Sequence, residues 1–208
     1  MLLGYVRRPL ADMGEAWGAL WRSPLRLELV ELLTVLDDRV RRVTVPLAGS
    51  SLRVHGTYTL DEVLAAFDER TSKGGVLRIQ AGVHYCERAD TDLLFVTLEK
   101  SAKDYSPTTL YNDYAISETR FHWESQSSCH DRTNAGRRYT RATRGEKGRV
   151  LLFVRARRAD ERGETMPYTL LGRVFYLEHR GGRPMKVQWE LETAMPAGIY
   201  QETKVAAG

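Results

Sequence analysis

The middle of the chain has a hydrophobic pattern that predicts a strand, a helix and a second strand. Thr91 to Glu99 is dense in β-branched and aromatic residues, which indicates a buried strand. Ser106-Pro107 supplies an N-cap followed by a proline at the first helical position, where its missing N–H has no cost. Helical spacing from this start includes Tyr111, Tyr114 and Ala115. Phe121 to Gln126 alternates rings with polar groups, which predicts a strand with two differently solvated faces.

The beginning of the chain predicts two amphipathic helices, at Ala11 to Trp21 and Pro24 to Leu36. The apolar stripe of the second comprises Leu25, Leu29, Leu32, Leu33 and Leu36. Such a stripe is typical of a helix that packs against other parts of a protein. We therefore predict a helical extension or linker over residues 1–56.

The next segments predict short elements. Val43 to Val54 contains a proline and a Gly-Ser-Ser run, so it is a loop or a pair of short edge strands. Thr59 and Glu62 form a capping box that starts a helix ending near Asp68. Val76 to Ile79 follows a Lys-Gly-Gly break and predicts a strand.

The second half of the chain is predicted to be mostly strand. The expected strands are Arg149 to Arg157, Tyr168 to His179 and Met185 to Leu191. The last two flank Arg180-Gly-Gly-Arg-Pro184, which favours a hairpin turn. Many short strands with little helix between them predict an α+β fold, a closed or nearly closed and mostly antiparallel β-barrel with helices packed outside. We place this domain at 57–200 and a frayed tail at 201–208.

The composition of the 208-residue chain is that of a globular protein, with 42% hydrophobic and 9% aromatic residues. The net charge of +4 is only mildly basic. Cys86 and Cys129 are too few for a disulfide framework, so we expect reduced thiols in a cytoplasmic protein. Arg7 and Arg8 interrupt the short apolar start, and no apolar run reaches the length of a membrane span. We expect neither a signal peptide nor a membrane partner.

Positive charge is concentrated between Arg132 and Arg158, where ten Lys or Arg residues accompany one acid, Glu146. Asn134 to Gly148 has no apolar period and predicts a long, flexible loop. Such a loop can neutralise the phosphates of a duplex with release of counterions. The expected backbone contacts are Arg132, Arg137, Arg138, Tyr139, Arg141, Arg144 and Lys147. The alternative is a solvated charge run without a specific role.

Several sequence blocks together resemble an uncharacterised C-terminal module of bacterial superfamily 2 helicases. The blocks are LFVTLEKSAKDYSPTTLYNDYAIS, FHWESQS, GRRY, GRVLLFVR, YTLLGRVFYLEH, GRPMKVQWEL and MPA, spread over about residues 58–197. Many such helicases carry a phospholipase-D-type nuclease, and some are type IV restriction enzymes that attack DNA containing methylated cytosine. No Walker loop is present, so the resemblance implies a target-recognition domain, not a motor. By analogy, we place its barrel near the SRA and PUA-like readers of modified bases.

A reader of a modified base flips the base, sandwiches it between aromatic faces and bonds its Watson–Crick edge with a carboxylate or amide. The predicted base pocket comprises Tyr105, Tyr111, Asp113, Trp123, Ser125 and Gln126. Asp113 or Glu124 is suited to accept from the exocyclic amine of cytosine. Tyr114 also has the right chemistry, but aromatics beside a helix, Tyr114 and Phe121 among them, are usually core residues. Asp113 alternatively faces solvent from the predicted helix.

No catalytic pattern is evident. His122 and Glu124 point the same way on a strand, which suits acid–base work or a surface pair. His84-x-Cys86 and Cys129-His130 contain zinc-ligand types at intervals unlike those of familiar knuckles, so we expect no metal, no cofactor and no enzyme activity. The leading hypothesis is a module that reads modified double-stranded DNA, with 5-methylcytosine as its mark, in a helicase or nuclease restriction system. The alternatives are a docking module for a helicase or nuclease partner, or a reader of another mark such as phosphorothioate.

Overall fold

The chain divides into two units, Met1–Val43 and Thr44–Gly208. A computed structural model describes residues 13–71, 73, 75, 77–79, 82–98, 113–146 and 148–205. The sequence prediction began the recognition domain at residue 57, whereas the division falls at residue 44. The difference has a packing cause, because Leu47, Leu52 and Val54 are buried in a core of the second unit.

The first unit contains both predicted helices, α1 at Met13–Trp21 and α2 at Arg26–Val43. The leucine stripe of α2 was expected to be packed, but much of it is open to solvent. The exposed apolar residues of this helix are Leu27, Val30, Leu32, Leu33, Val35 and Leu36. Among the described residues, no helix is both long and apolar enough to span a membrane.

The second unit opens with short elements that the sequence predicted. Strands β1 and β2 form a two-stranded antiparallel sheet, and β3 and helix α3 follow. Their bounds are Val45–Pro46, Arg53–Val54, Thr57–Tyr58 and Leu60–Ala66. The capping box of α3 is confirmed: the Thr59 hydroxyl accepts from the N–H of Glu62 at 3.3 Å, and the Glu62 carboxylate accepts from the N–H of Thr59 at 2.8 Å. Such a cap contributes about 1 kcal/mol to stability.

A large sheet forms the centre of the second unit. Its strands after β3 are β4 (Val83–Cys86), β5 (Thr91–Thr97), β6 (Tyr114–Ser117), β7 (Arg120–Glu124), β8 (Arg149–Arg155), β9 (Tyr168–Arg180) and β10 (Lys186–Leu191). The strand order is β4-β5-β8-β9-β10-β7-β6, and β3 also pairs with β9. Strands β5 and β8 are parallel, while the other neighbouring pairs of described strands are antiparallel.

The sheet buries apolar residues on both faces. Successive side chains of a strand point to opposite faces, so Leu93 and Phe95 of β5 belong to one core, with α3. Leu94 and Val96 belong to the other, with Trp189 of β10. A buried parallel pair such as β5–β8 needs this cover on both sides.

The predicted α+β, mostly antiparallel architecture is confirmed, but the predicted closed barrel is not observed. The strand path in the described residues has two ends, β4 and β6, and no described pair joins them. The physical reason is the double-sided core: a small closed barrel has one interior, whereas this sheet separates two apolar clusters.

Three local predictions need correction. The described part of the predicted strand at 76–79, residues 77–79, is not in a strand. Tyr114 and Ala115 were assigned to a helix, but they lie in β6, while residues 106–112 of that helix are outside the described part of the chain. The tail predicted to fray from residue 201 continues a helix, α5, at Ala197–Val205.

Candidate nucleic-acid interface

The basic segment predicted as a loop begins with a helix, α4, at Asn134–Arg141. Thr133 caps it: its hydroxyl accepts from the N–H of Gly136 at 3.1 Å and donates to the carbonyl of His130 at 2.7 Å. A side chain at Gly136 would collide with that same carbonyl. Tyr139 lies three residues further on, one turn along, and is buried. The cap at Thr133 was the sequence signal for this helix, but two apolar positions are too few for a clear helical period.

Two of the predicted DNA-binding arginines have structural partners. Arg138 forms a bidentate ion pair with Asp92, with N···O distances of 2.8 and 2.9 Å. Its guanidinium also lies 3.8 Å from the centroid of the Tyr85 ring. Burial raises the pKa of the Asp92 carboxyl, while the Arg138 guanidinium opposes that rise. This pair ties α4 to β5.

Arg144 follows α4 and contacts two residues of the sheet. Its Nε lies 3.1 Å from the carboxylate of Glu190, and its guanidinium is 4.3 Å from the centre of the Phe175 ring. The ion pair is exposed, so its contribution to stability is small. Arg144 is nevertheless partly neutralised before any phosphate approaches.

A second group of arginines is available for an anion. Arg137 and Arg141 are exposed and lie four residues apart, which places them on one face of α4. Arg132, just before the helix, is also exposed. None of the three forms an ion pair with another residue in the described part of the chain. We call these three residues the arginine face. Lys147, the remaining predicted cation, lies outside the described residues.

Tyr139, one of the predicted phosphate contacts, is buried and so is not available to a phosphate. Its side chain is buried, and its ring packs edge-on against Trp123 and Trp189 at centroid distances of 5.3 and 6.2 Å. Burial raises the pKa of its hydroxyl far above the usual value of 10.0. The tyrosine therefore anchors α4 to the core beneath it.

The residues predicted to form one base pocket have different surroundings in the structure. Trp123 is a core residue with only 4% of its surface exposed. Ser125 is fully buried, where its hydroxyl accepts from the N–H of Met185 at 2.8 Å and donates to the carbonyl of Gln126 at 3.2 Å. Both are better explained as structural residues than as contacts to a base. Tyr105 and Tyr111 lie outside the described residues.

Asp113 also has a structural contact. It is not on a solvent-facing helix, as one alternative expected, but is buried just before β6, where its carboxylate accepts from the N–H of Glu124 at 2.9 Å. Gln126 is partly exposed just after β7. Of the predicted pocket residues that the structure describes, Asp113 and Gln126 are those with chemistry suited to a base edge that are neither in an apolar core nor completely buried.

The structure places Tyr114, which the sequence assigned to the core, at the surface. Tyr114 of the edge strand β6 is 38% exposed, and its ring stacks on His122 at 4.8 Å with an interplanar angle of 25°. Glu124, on the same face of β7 as His122, has a carboxylate oxygen 3.9 Å from the His122 ring and 3.2 Å from the ammonium of Lys186. His122 and Glu124 are themselves mostly buried, with side chains 14% and 9% exposed. The sequence signal for this face was the alternation in β7, which places both residues opposite Phe121.

The arginine face and the Tyr114–His122 pair lie on opposite sides of β7. Tyr139 of α4 packs on Trp123, while His122, its neighbour along the strand, points to the other face. The fold therefore does not bring the two surfaces together into one pocket. They are separate candidates for phosphate contact and for base stacking.

Stability is expected to depend on the protonation of His122. Burial lowers its pKa from the usual 6.5, although Glu124 and Asp113 act in the opposite direction. The unfolded chain thus takes up a proton first as the pH falls, so this residue makes the fold less stable below about pH 6.5. Urea unfolding between about pH 7.5 and about pH 5 should show a shallower loss of stability in His122→Gln than in the wild type.

Both the wild type and His122→Gln retain His55, and burial lowers the pKa of that histidine as well. The slope of the free energy of unfolding against pH should therefore be smaller in His122→Gln than in the wild type, but not zero. An unchanged slope would contradict the assignment of a buried, neutral imidazole at residue 122.

The two sequence pairs that contain zinc-ligand residue types, although no metal was expected there, have different surroundings. Cys129 is buried, with its sulfur 3.9 Å from that of Met185, and His130 accepts from the N–H of Arg132 at 3.2 Å. His84 and Cys86 instead meet Glu69, and the ligand atoms of these three residues lie within 4.8 Å of one another. Sequence spacing alone did not include this glutamate.

The architecture defines a mixed α+β domain in which one large, mostly antiparallel sheet carries a basic helix. The chain belongs to the family described as domain of unknown function DUF3427, which matches residues 52–203. This domain is found in helicase-associated proteins. The matched region begins inside the second unit and ends within α5. No curated protein matches the chain.

Proposed function

We propose that this domain binds double-stranded DNA as a target-recognition module of a helicase or nuclease restriction system. The observation that carries the proposal is the arginine face of α4 and the residue before it. Arg132, Arg137 and Arg141 are exposed, and no described acid neutralises them. Phosphates are the anions that DNA presents in greatest density, and arginine binds them through its planar fork of donors.

The rest of α4 is built to hold these arginines in place. The Arg138–Asp92 pair and the packing of Tyr139 on Trp123 fix the buried side of the helix. Arg137 and Arg141 then project from the opposite side without having to order the backbone on binding. A preformed helix lowers the entropic cost of association.

We propose further that the domain tests for a modified base, with 5-methylcytosine as the first candidate. Support comes from the resemblance to type IV restriction enzymes and from the exposed ring of Tyr114, which stacks on the mostly buried His122 and offers a flat surface to a base. Aromatic stacking stabilises an extruded base by about 1–3 kcal/mol. Asp113 and Gln126, with Tyr105 and Tyr111, are the proposed groups around such a base. The proposed mechanism of recognition is base flipping.

The arginine face is tested by a binding titration of the purified chain against duplex DNA over a range of salt concentrations. The variant Arg137→Ala/Arg141→Ala should bind every duplex more weakly. The slope of log affinity against log salt should become shallower by up to about 1.8, because each lost phosphate contact removes about 0.9. Arg162→Ala, an exposed arginine in the turn between β8 and β9, is the control and should leave the slope unchanged. Equal slopes for the double variant and the wild type would refute the proposal.

Base recognition is tested with matched duplexes containing cytosine, 5-methylcytosine or a phosphorothioate linkage. Preference for the methylated duplex should fall in Tyr114→Ala, whereas the salt slope should stay as in the wild type, since this residue carries no charge. A preference for the phosphorothioate duplex would assign the module to another mark. Equal binding of the wild type to all three would leave a DNA-binding domain without base recognition.

A second candidate function is docking onto a helicase or nuclease partner. The observation in its favour is the exposed apolar surface of α2, including Leu32 and Leu36, because exposed apolar patches often mark protein interfaces. The salt titration separates the two functions. A docking module would show little affinity for DNA even at low ionic strength.

A further inference from the structure

Glu69, His84 and Cys86 converge on one point at the end of α3. His84 and Cys86 are two residues apart on β4 and so lie on the same face of the strand. Glu69 arrives from the segment after α3, and its carboxylate oxygen is 2.8 Å from Nε2 of His84. The imidazole nitrogen, the carboxylate oxygen and the thiol sulfur all lie within 4.8 Å of one another.

Further contacts link the segments that carry the three residues. The N–H of Glu69 donates to the carbonyl of Leu64 at 2.9 Å, which closes the end of α3. Asp68 pairs with Arg88 at 2.7 Å and with Arg70 at 2.8 Å. Since Arg88 lies two residues after Cys86, this pair joins the end of α3 to the end of β4. The ion pairs of Asp68 are exposed and contribute little to stability, so the backbone hydrogen bond of Glu69 is the firmer of these contacts.

The donor set is one that zinc prefers. Tetrahedral zinc has Zn–N and Zn–O distances of about 2.0–2.1 Å and a Zn–S distance of about 2.3 Å, so neighbouring ligand atoms are about 3.3–3.6 Å apart. The separations in the cluster lie on either side of this range or within it, from 2.8 Å between the imidazole and the carboxylate to at most 4.8 Å. Thiolate, carboxylate and neutral imidazole also balance the charge of a divalent ion, so a buried site would carry no net charge.

We propose that Glu69, His84 and Cys86 form a zinc-binding site with three protein ligands and a water molecule in the fourth position. The sequence between Glu69 and His84 contains no other Cys, His, Asp or Glu, so that segment offers no further ligand of these types. Three protein ligands with one exchangeable position are typical of zinc sites that also bind a substrate or water. The site is on the face of the sheet that packs against α3, separate from the arginine face.

Metal binding at this cluster would deprotonate the Cys86 thiol and release that proton to solvent, as metal–thiolate formation requires.

The test is a titration of the reduced, full-length chain with Co²⁺, which substitutes for zinc and absorbs light. The wild type should bind one equivalent, give a thiolate-to-cobalt charge-transfer band, and lose it when Zn²⁺ is added. Cys86→Ser should lose the band, whereas Cys129→Ser, a change at the other buried cysteine, should keep it. Absence of the band in the wild type would overturn the proposal, as would its loss in Cys129→Ser and not in Cys86→Ser.

A second pair of variants tests the other ligands without removing the thiol. Glu69→Gln and His84→Gln should each weaken Zn²⁺ binding by more than about 100-fold, since loss of an outer-shell partner alone costs 10–100-fold. Circular dichroism should show that both remain folded, and added Zn²⁺ should raise the Tm of the wild type but not of the variants. Wild-type affinity in a folded Glu69→Gln protein would overturn the three-ligand site.

Discussion

Trp123→Ala is expected to destabilise the second unit by about 3–5 kcal/mol, the usual range for removing a buried large aromatic residue. The ring of Trp123 packs against Tyr139 of α4 and lies 6.2 Å from the centroid of Trp189. Its removal leaves a cavity where α4 meets the sheet. Because domains have a total stability of about 5–15 kcal/mol, the loss is a large share of the whole. Urea unfolding followed by circular dichroism measures it.

Trp21→Ala provides a matched control, because Trp21 is 56% exposed on α1. The same chemical change there should alter stability by less than about 1 kcal/mol. If instead Trp123→Ala kept wild-type stability and lost only the preference for a modified base, Trp123 would belong to the binding surface that its sequence context predicted.

Arg138→Ala is expected to destabilise the protein by about 2–3 kcal/mol. The change leaves the carboxylate of Asp92, with a side chain 6% exposed, without its bidentate partner. The expected loss is below the about 3–5 kcal/mol for a fully buried pair, because Arg138 itself retains 29% exposure. Urea unfolding near neutral pH measures the difference from the wild type.

The pH dependence provides a further check on this pair. In Arg138→Ala the folded-state pKa of Asp92 is raised by burial with no guanidinium to oppose it, so acid that protonates the carboxylate removes the unpaired charge. The gap in stability between variant and wild type should therefore narrow as the pH falls. A constant gap would mean that lost packing on Tyr85, and not the buried charge, is the main effect.

Arg137→Ala is the control for Arg138→Ala. The two arginines are neighbours, yet Arg137 is exposed and has no ion-pair partner in the described part of the protein. Its removal should leave stability within about 0.5 kcal/mol of the wild type. A double variant at 137 and 138 would mix a loss of stability with a loss of phosphate contact, so the DNA-binding test uses 137 with 141 instead.

Local sequence signals predicted much of the secondary structure. The Thr59–Glu62 capping box, the buried strand from Thr91 and the hairpin between β9 and β10 all occur in the structure. Each depends on residues close together in the chain, where side-chain spacing and backbone preferences act directly. The helix at 134–141 was missed because only two of its positions are apolar, which is too few to show a helical period.

The candidate sites were predicted less well, because they depend on contacts between distant residues. Asp92 and Arg138 are far apart in sequence, yet they pair in the fold. This pairing makes Arg138 a structural residue, whereas the neighbouring Arg137 remains exposed. The exposure of Tyr114 depends on its position at the edge of the sheet, which its own sequence context does not reveal. Glu69 lies beside His84 and Cys86 because the fold brings the end of α3 close to β4, a contact that sequence spacing does not reveal.

Local patterns predicted an α+β domain rich in antiparallel strands, with positive charge concentrated from Arg132 onward. Propensity, alternation and capping are local properties, so they are visible along the chain. Long-range packing instead sets the two separate cores of the sheet, the arginines that remain exposed and the polar residues that meet. These outcomes follow from strand order and burial, where residues distant in sequence compete for the same apolar interior and for the same ion-pair partners.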